Sequence, residues 1–123
     1  MVMKMSSPKS SKAKGRRLQN YVRDYLRKIF ITNWTKVPRL EEDDIKSQTM
    51  GMTGEDIVLS PAAKKLIPYS FECKNVERLN LWDSIQQAET NSEDRLPILV
   101  IKRNRSKVYA VVEFEKLMEK ICQ

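Results

Sequence analysis

Histidine is absent from the 123-residue sequence, and cysteine is limited to Cys73 and Cys122. The missing imidazole excludes Ser-His hydrolases, HExxH metalloproteases and nucleases that use histidine as a base or a ligand. Two cysteines are too few for a disulfide framework or a four-cysteine zinc site. Any catalysis must therefore use carboxylates, lysine, tyrosine or a hard metal ion bound through oxygen.

Long apolar runs are also missing, because no stretch approaches the roughly 18 apolar residues that suggest a membrane span. The start of the chain carries positive charge, but no apolar segment follows it as one would in a secretory signal. We therefore expect a cytoplasmic protein with no membrane partner. A chain of this length forms one domain, with a single functional site as the default.

Positive charge is in excess, since Lys and Arg total 23 against 16 Asp and Glu and the formal net charge is +7. This balance favours a polyanionic partner, either nucleic acid or an acidic membrane surface. Residues 1–14 are rich in Ser and Lys and show no apolar period. We predict a flexible basic tail there, which is either a solubilising end or an arm that contacts phosphates.

Apolar residues recur at helical spacing directly after Gly15. The pattern predicts an amphipathic helix over 15–30, with an apolar face made of Leu18, Tyr21, Val22, Tyr25, Leu26, Ile29 and Phe30. Because that face is expected to build a core, a membrane-surface protein is disfavoured. The outer face is almost entirely of one sign, which favours phosphate contact over simple solvation; it carries Arg16, Arg17, Arg23, Arg27 and Lys28.

The remaining pattern predicts an α/β fold with a mixed central β-sheet flanked by helices. The acidic run at 41–44 invites a metal site, but consecutive side chains point in different directions, so a solvated loop is favoured. A strand is expected to begin near Ile45. Further strands are expected over 55–59, 69–74, 97–101 and 108–112, and helices over 80–90 and 113–121. We predict that 55–59 and 69–74 form a hairpin joined by 61–68.

Strand alternation places three charged residues on one face of this predicted hairpin. Phe71 and Cys73 face the core, which leaves Glu72 and Lys74 on the other side together with Asp56. Two carboxylates at cross-strand distance can bind a magnesium ion, with the backbone carbonyl of Cys73 as a further ligand. A lysine beside them can orient water or stabilise negative charge on a phosphodiester in its transition state. The pattern therefore predicts metal-dependent phosphodiester hydrolysis, and the Cys73 thiol is expected to serve only in packing.

These residues resemble the PD-(D/E)xK nuclease superfamily, with Asp56 as the first acid and Glu72 and Lys74 as the ExK element. Within it, the small size, the basic start of the helix and the order of elements are most similar to archaeal-type Holliday junction resolvases and their phage-encoded relatives. The resemblance covers about residues 14–112 and rests on the segments at 14–18, 54–57 and 71–75.

This resemblance implies a restriction-endonuclease-like core over 15–123 that uses Mg²⁺, with Mn²⁺ as a substitute. The implied activity is cleavage of branched DNA, specifically the four-way junction, by a homodimer. If a phage encodes the chain, the implied location is the host cytoplasm.

The resemblance also assigns residues outside this trio. The resolvases carry a glutamate four residues after the helix glycine, where this chain has Gln19, an amide that adds no charge to the site. Glu55 is a poor substitute for that glutamate, because alternation points it away from the site. Gln87 lies where related nucleases often have a glutamine near the site. The implied DNA-binding residues are Lys14, Arg16, Arg17, Arg23, Arg27 and Ser47.

Two other functions remain open at this point. A PD-(D/E)xK endonuclease that acts on flaps, nicks or plain duplex in repair, replication or restriction would use the same three residues. A non-catalytic nucleic-acid-binding module would share the basic surface but would not need Asp56, Glu72 and Lys74 together.

Overall fold

The order of helices and strands is given by a computed structural model, which describes residues 8–32, 35, 38–49 and 51–123. The described α-helices are α1 (Pro8–Phe30), α2 (Pro61–Leu66), α3 (Leu81–Asn91) and α4 (Phe114–Ile121). The strands are β1 (Ile45–Ser47), β2 (Ile57–Leu59), β3 (Tyr69–Asn75), β4 (Leu96–Lys102) and β5 (Tyr109–Val111), and a short 3-10 helix (Glu42–Asp44) precedes β1. The predicted α/β class is confirmed.

The central sheet contains β3, β4 and β5 in that order. β3 and β4 are parallel, with Tyr69 opposite Leu96 and Glu72 opposite Leu99, and α3 forms the crossover between them. β5 returns antiparallel to β4, pairing Val100 with Ala110. The sheet is therefore mixed, as predicted, and it brings the middle of β3 beneath α3.

The predicted hairpin of 55–59 with 69–74 is wrong. β2 pairs antiparallel with β1 instead, with Ile45 opposite Leu59. The segment expected to be a plain connection is α2, whose start is capped by the Ser60 hydroxyl accepting from the Ala63 amide. The two sheets nevertheless meet, because the Asp56 amide donates to the Phe71 carbonyl at 3.1 Å. Alternation correctly assigned the faces of these strands but could not identify which strands pair.

The predicted flexible tail is helical over 8–14, because α1 begins at Pro8. Residues 1–7 of that predicted tail lie outside the described residues. Lys14 explains why the helix extends so far back: its side chain is buried and pairs with Glu77 at 3.7 Å, and its carbonyl accepts from Asn75 at 3.1 Å. These contacts attach the first turns of α1 to the end of β3.

The core lies between α1 and the two sheets. Leu18, Val22 and Leu26 are buried there against residues such as Ile57 and Phe71. The rest of the predicted apolar face differs, since Tyr21, Tyr25 and Ile29 are each about half exposed, at 49%, 53% and 49%. The buried stripe of α1 is thus narrower than its apolar pattern.

The acidic run is not a metal site but a structural turn. Asp44 accepts hydrogen bonds from the Glu41 amide and the Ser60 hydroxyl, and these two bonds lower the pKa of its carboxyl group. Glu41, Glu42 and Asp43 are exposed, as a solvated segment requires.

In the part of the chain that the structure describes, no helix is long and apolar enough to cross a bilayer.

Candidate active site

A groove of about 690 Å³ opens between the first half of α1 and one face of α3. Its floor is the end of β3, and residues 52–54 close one side. The polar and small residues that line it include Ser11, Gly15, Gln19, Asp56, Glu72, Lys74, Gln86, Gln87, Thr90 and Asn91. The groove therefore contains the predicted trio and part of the segment that the sequence suggested was a tail.

Asp56 is fixed against β3 by both its backbone and its side chain. Its amide donates to the Phe71 carbonyl, and its Oδ2 accepts from the Cys73 amide at 2.6 Å. Two residues of β3 thus hold the carboxylate at the edge of the strand that carries Glu72.

Glu72 lies in the middle of β3 and is only 4% exposed. Its Oε2 accepts a hydrogen bond from Nδ2 of Asn91 at 3.3 Å, and its carboxyl group interacts electrostatically with that of Asp56. Lys74 follows on the same face of the strand, half-buried, and acts electrostatically on both carboxyl groups. The structure therefore brings the three predicted residues together, although through two sheets rather than one hairpin.

Burial makes these carboxyl groups hold their protons more tightly than usual. Desolvation, followed by repulsion from Asp56, raises the pKa of Glu72 to about 7. Desolvation also raises the pKa of Asp56, against the opposing effects of the Cys73 amide and of Lys74. Two carboxylates in such a site are hard to ionise together, and a bound cation would relieve their repulsion.

Gln19 completes the arrangement from the side of α1. The residue is 9% exposed, and its amide is close enough to the Asp56 carboxylate to lower the pKa of that group. Its Oε1 is buried without a hydrogen-bond partner among the described residues. A buried, unsatisfied amide oxygen beside two carboxylates is suited to a cation or to an ordered water.

The donor set fits a hard divalent cation, because it consists of oxygen atoms. No group of three or more His, Cys, Asp and Glu side chains that could hold a metal occurs in the described part of the chain. The carboxylates of Asp56 and Glu72 would therefore need neutral partners, which the amide oxygen of Gln19 and the predicted carbonyl of Cys73 can supply. Oxygen ligands with several remaining waters are typical of Mg²⁺.

Comparison with family models identifies the kind of protein that carries this groove. Residues 10–123 match the family described as "Phage putative PDDEXK endonuclease". The chain belongs to this family. The chain matches no protein in a search of curated proteins and no structure in a search of solved structures. The superfamily predicted from Asp56, Glu72 and Lys74 is thereby shown, whereas the resolvase type within it is not.

The thiol of Cys73 is buried on the core side of β3, as the alternation of this strand predicted. Burial raises the pKa of this thiol far above its usual range, with further increases from Asp56 and Glu72. A thiol held in its neutral form is a poor nucleophile, so Cys73 can contribute only its backbone to the site.

The predicted DNA-binding residues fall into two groups. Arg16 and Arg17 are exposed on α1. The others have partners within the protein, which the row of basic residues on the outer face of α1 did not reveal. Arg27 donates to the carbonyls of Ile45 and Glu42 at 2.9 and 3.0 Å, and Lys14 is buried as described.

Asn20 joins two more residues of this second group. Its Oδ1 accepts from the Ser47 hydroxyl at 2.8 Å and from Arg23 at 3.2 Å. Arg23 also pairs with its neighbour Asp24 at 2.9 Å. The bond between Ser47 and Asn20 joins β1 to α1, which gives Ser47 a structural role, whereas both partners of Arg23 lie within α1 itself.

Gln87 is exposed on the wall of the groove, and the residue one turn further along α3 is Asn91. Asn91 was not predicted from the sequence, and it donates to the Gly54 carbonyl at 3.3 Å as well as to Glu72. The signal that could have found it is the spacing of four residues, which places Gln87 and Asn91 on one face of a helix.

Glu55 points away from the site, as alternation predicted. It forms a buried ion pair with Arg95 at 2.7 Å and accepts from the Ser70 hydroxyl at 3.0 Å. The Glu55 carboxylate is therefore bound by Arg95 and Ser70, away from the groove. It cannot replace a glutamate at position 19.

Proposed function

We propose that this endonuclease hydrolyses DNA phosphodiester bonds with the help of Mg²⁺, for which Mn²⁺ can substitute. The observation that carries the proposal is the pair of buried carboxyl groups, Asp56 and Glu72, with Lys74 beside them in one open groove. Their raised pKa values reflect a site that favours added positive charge. Membership of an endonuclease family supports the same chemistry.

Asp56 and Glu72 would hold the ion, with the oxygen atoms of Gln19 and Cys73 as neutral neighbours. When bound, Mg²⁺ polarises the scissile phosphate and makes a nearby water easier to deprotonate. The Asn91 amide keeps one oxygen of Glu72 in place, and the Cys73 amide does so for Asp56. Because these hydrogen bonds fix the two carboxylates in advance, the site needs less rearrangement when substrate binds.

Lys74 would supply the positive charge that the two carboxylates cannot. Its ammonium group is half-buried and lies on the same strand face as Glu72. In a partly desolvated groove, such a cation stabilises the negative charge that builds up on the phosphate oxygens during attack. It can also orient the attacking water by donating a hydrogen bond.

DNA would approach along α1, where Arg16 and Arg17 are exposed. The lining of the groove adds neutral donors on α1 and α3, including Ser11, Gln87 and Thr90. Contacts of this kind position a sugar-phosphate backbone and carry little sequence information. We therefore expect cleavage with weak base preference and binding that falls steeply with salt.

For the substrate, we propose branched DNA, with the four-way junction as the preferred form. The supporting observation is the resemblance at 14–18, 54–57 and 71–75. Flaps, nicks and plain duplex are the alternative substrates of the same site.

A cleavage assay tests both the nuclease chemistry and the preference for a four-way junction. Labelled four-way junction, flap, nicked and linear duplex DNA are incubated with the protein in Mg²⁺, Mn²⁺ or EDTA, with the Glu72→Gln variant in parallel. Cleavage that requires the metal and Glu72 supports the nuclease chemistry. Equal cleavage of junction and linear duplex would refute the junction preference alone, and an inactive wild type that still binds DNA would favour a non-catalytic module.

A further inference from the structure

The C-terminal helix presents its apolar side to solvent. Phe114, Leu117 and Ile121 occupy one face of α4 by helical spacing, and they are 71%, 37% and 65% exposed. The helix contacts the body of the protein through Lys120, which is half-buried and whose Nζ lies 5.9 Å from the centre of the Tyr69 ring. An amphipathic helix normally buries its apolar face, so the exposed part of this face is available for contact with a partner.

An apolar groove of about 800 Å³ lies beside this helix, between α3 and α4. Trp82 stands on its wall and is 76% exposed. The other apolar residues of the lining are Pro68, Ile85, Ala88, Leu96, Pro97, Leu99, Val111, Val112 and Phe114. The chain thus exposes both an apolar helix face and an apolar groove.

The charges around this groove do not suit a polyanion. Its acidic residues are Glu89, Asp94, Glu113 and Glu119, and its basic residues are Arg95, Lys116 and Lys120. Arg95 is already paired with Glu55. In a chain with a formal net charge of +7, this is a region without excess positive charge, which fits a protein partner rather than DNA.

We propose that a second copy of this chain is the partner, and that each copy inserts the apolar face of its α4 into the α3–α4 groove of the other. A two-fold axis makes the exchange reciprocal, so both exposed surfaces of both copies are used and the assembly closes as a dimer. The rim carries both signs of charge, as a self-complementary contact requires. This inference is independent of the nuclease activity.

The exposed area is adequate for such a dimer. A large aromatic side chain presents about 150–250 Å², so Trp82, Phe114, Leu117 and Ile121 together expose on the order of 500 Å² per chain. Standard interfaces bury about 800 Å² per partner. The walls of the groove supply the remaining area.

The proposed contact leaves the catalytic groove open. Gln86, Gln87 and Thr90 of α3 line the catalytic groove, whereas Trp82, Ile85 and Glu89 line the apolar one. One helix therefore separates the two surfaces, and a dimer would carry two accessible sites.

Sedimentation analysis of the full chain over a range of concentrations tests the proposal. We expect the wild type to reach twice its 14.4 kDa mass, and Phe114→Asp, Ile121→Asp and Trp82→Asp to shift it to monomer with an unchanged circular dichroism spectrum. Ile29→Asp changes a half-exposed apolar residue on α1 and should leave the dimer intact. A wild type that stays monomeric, or a dimer weakened equally by Ile29→Asp, would overturn the proposal.

A mixing experiment tests the reciprocal geometry. Ile121→Asp damages only the helix side of the contact, because Ile121 does not line the groove, and Trp82→Asp damages the groove side. Mixed together, these two variants can form one undamaged contact, in which the intact α4 of one enters the intact groove of the other. We expect a heterodimer in the mixture that neither variant forms alone. Its absence would refute reciprocal docking.

Discussion

Asn91 and Glu72 are joined by a hydrogen bond of 3.3 Å between Nδ2 and Oε2, which links the last turn of α3 to the middle of β3. The same amide group also reaches the Gly54 carbonyl at 3.3 Å. One side chain therefore sets the position of a proposed metal ligand and of the loop that borders the groove.

Replacing Asn91 with alanine should weaken Mg²⁺ binding and slow cleavage by roughly 10–100-fold, because partners that orient metal ligands typically contribute about this much. Calorimetry measures the Mg²⁺ affinity and single-turnover kinetics the cleavage. Gln86→Ala, a change on the same helix and in the same groove, is the control and should leave the Mg²⁺ affinity unchanged. An unaltered Mg²⁺ affinity in Asn91→Ala would remove its positioning role.

The proposed catalytic residues should separate cleavage from binding. We expect Asp56→Asn and Glu72→Gln to lose cleavage but retain DNA binding, because they remove negative charge from the site and leave Arg16 and Arg17 intact. Lys74→Ala should lower the rate by about 10² or more if it stabilises transition-state charge. Lys65→Ala, on the exposed side of α2, serves as the matched control. Cleavage that persists in purified Glu72→Gln protein would show that other carboxylates act.

The raised pKa of Glu72 predicts how metal-free stability depends on pH. Because the folded state holds this proton more tightly than the unfolded state, the contribution of Glu72 to stability is greatest below the ordinary glutamate pKa of 4.5 and is lost as pH rises through about 7. The loss is on the order of 2–3 kcal/mol for a shift of this size.

Thermal or urea unfolding in EDTA measures this dependence. Glu72→Gln should match the wild type near pH 4.5 and exceed its stability at pH 8, since glutamine cannot ionise. Asp43→Asn, which changes an exposed carboxylate, should reproduce the wild-type profile. A Glu72→Gln variant that is less stable than the wild type at pH 8 would contradict the desolvation argument.

Gln19→Glu should tighten Mg²⁺ binding and lower the stability of the metal-free protein. A third carboxylate beside Asp56 and Glu72 attracts the cation more strongly than an amide does, but it adds repulsion when no cation is present. Magnesium titration and melting in EDTA give the two readouts, with Gln19→Ala as the comparison. Unchanged values in both would show that Gln19 is remote from the ion.

The basic residues of α1 should divide between binding and folding. Arg16→Ala and Arg17→Ala should each weaken DNA binding similarly across sequences and reduce the slope of log affinity against log salt by about one. Arg27→Ala should instead destabilise the fold by about 1–3 kcal/mol, because it removes two charge-assisted hydrogen bonds to backbone carbonyls. Salt titrations of binding and urea unfolding distinguish the two effects. Reversed behaviour of Arg17 and Arg27 would contradict the division.

Local spacing carried most of what could be predicted from the sequence. Alternation along β3 correctly assigned Phe71 and Cys73 to one side and Glu72 and Lys74 to the other, because a strand fixes its faces without reference to the rest of the chain. The same applies to the buried stripe of α1 at Leu18, Val22 and Leu26. These features depend only on neighbours in the sequence.

Apart from the short helix α2, the main features that could not be predicted depend on distant contacts. The pairing of β2 with β1, the contact of Arg27 with Ile45 and the pairing of Lys14 with Glu77 join residues between 10 and 63 positions apart. Residue type and period do not specify such partners. Asn91 belongs to the same group, since its value to the site depends on Glu72, which lies 19 residues earlier.

Asp56 is bonded to β3 through both its amide and its carboxylate, at the point where the two-stranded sheet meets the central sheet. Asp56, a proposed metal ligand, therefore also holds the two sheets together. A fluctuation that lifts β1 and β2 away from β3 would dismantle the site in the same movement. A cation that binds both Asp56 and Glu72 would suppress that opening. Binding in the groove should therefore slow amide hydrogen exchange along β2 and β3. The geometry of the site and the local stability of the contact between the two sheets therefore depend on the same bonds.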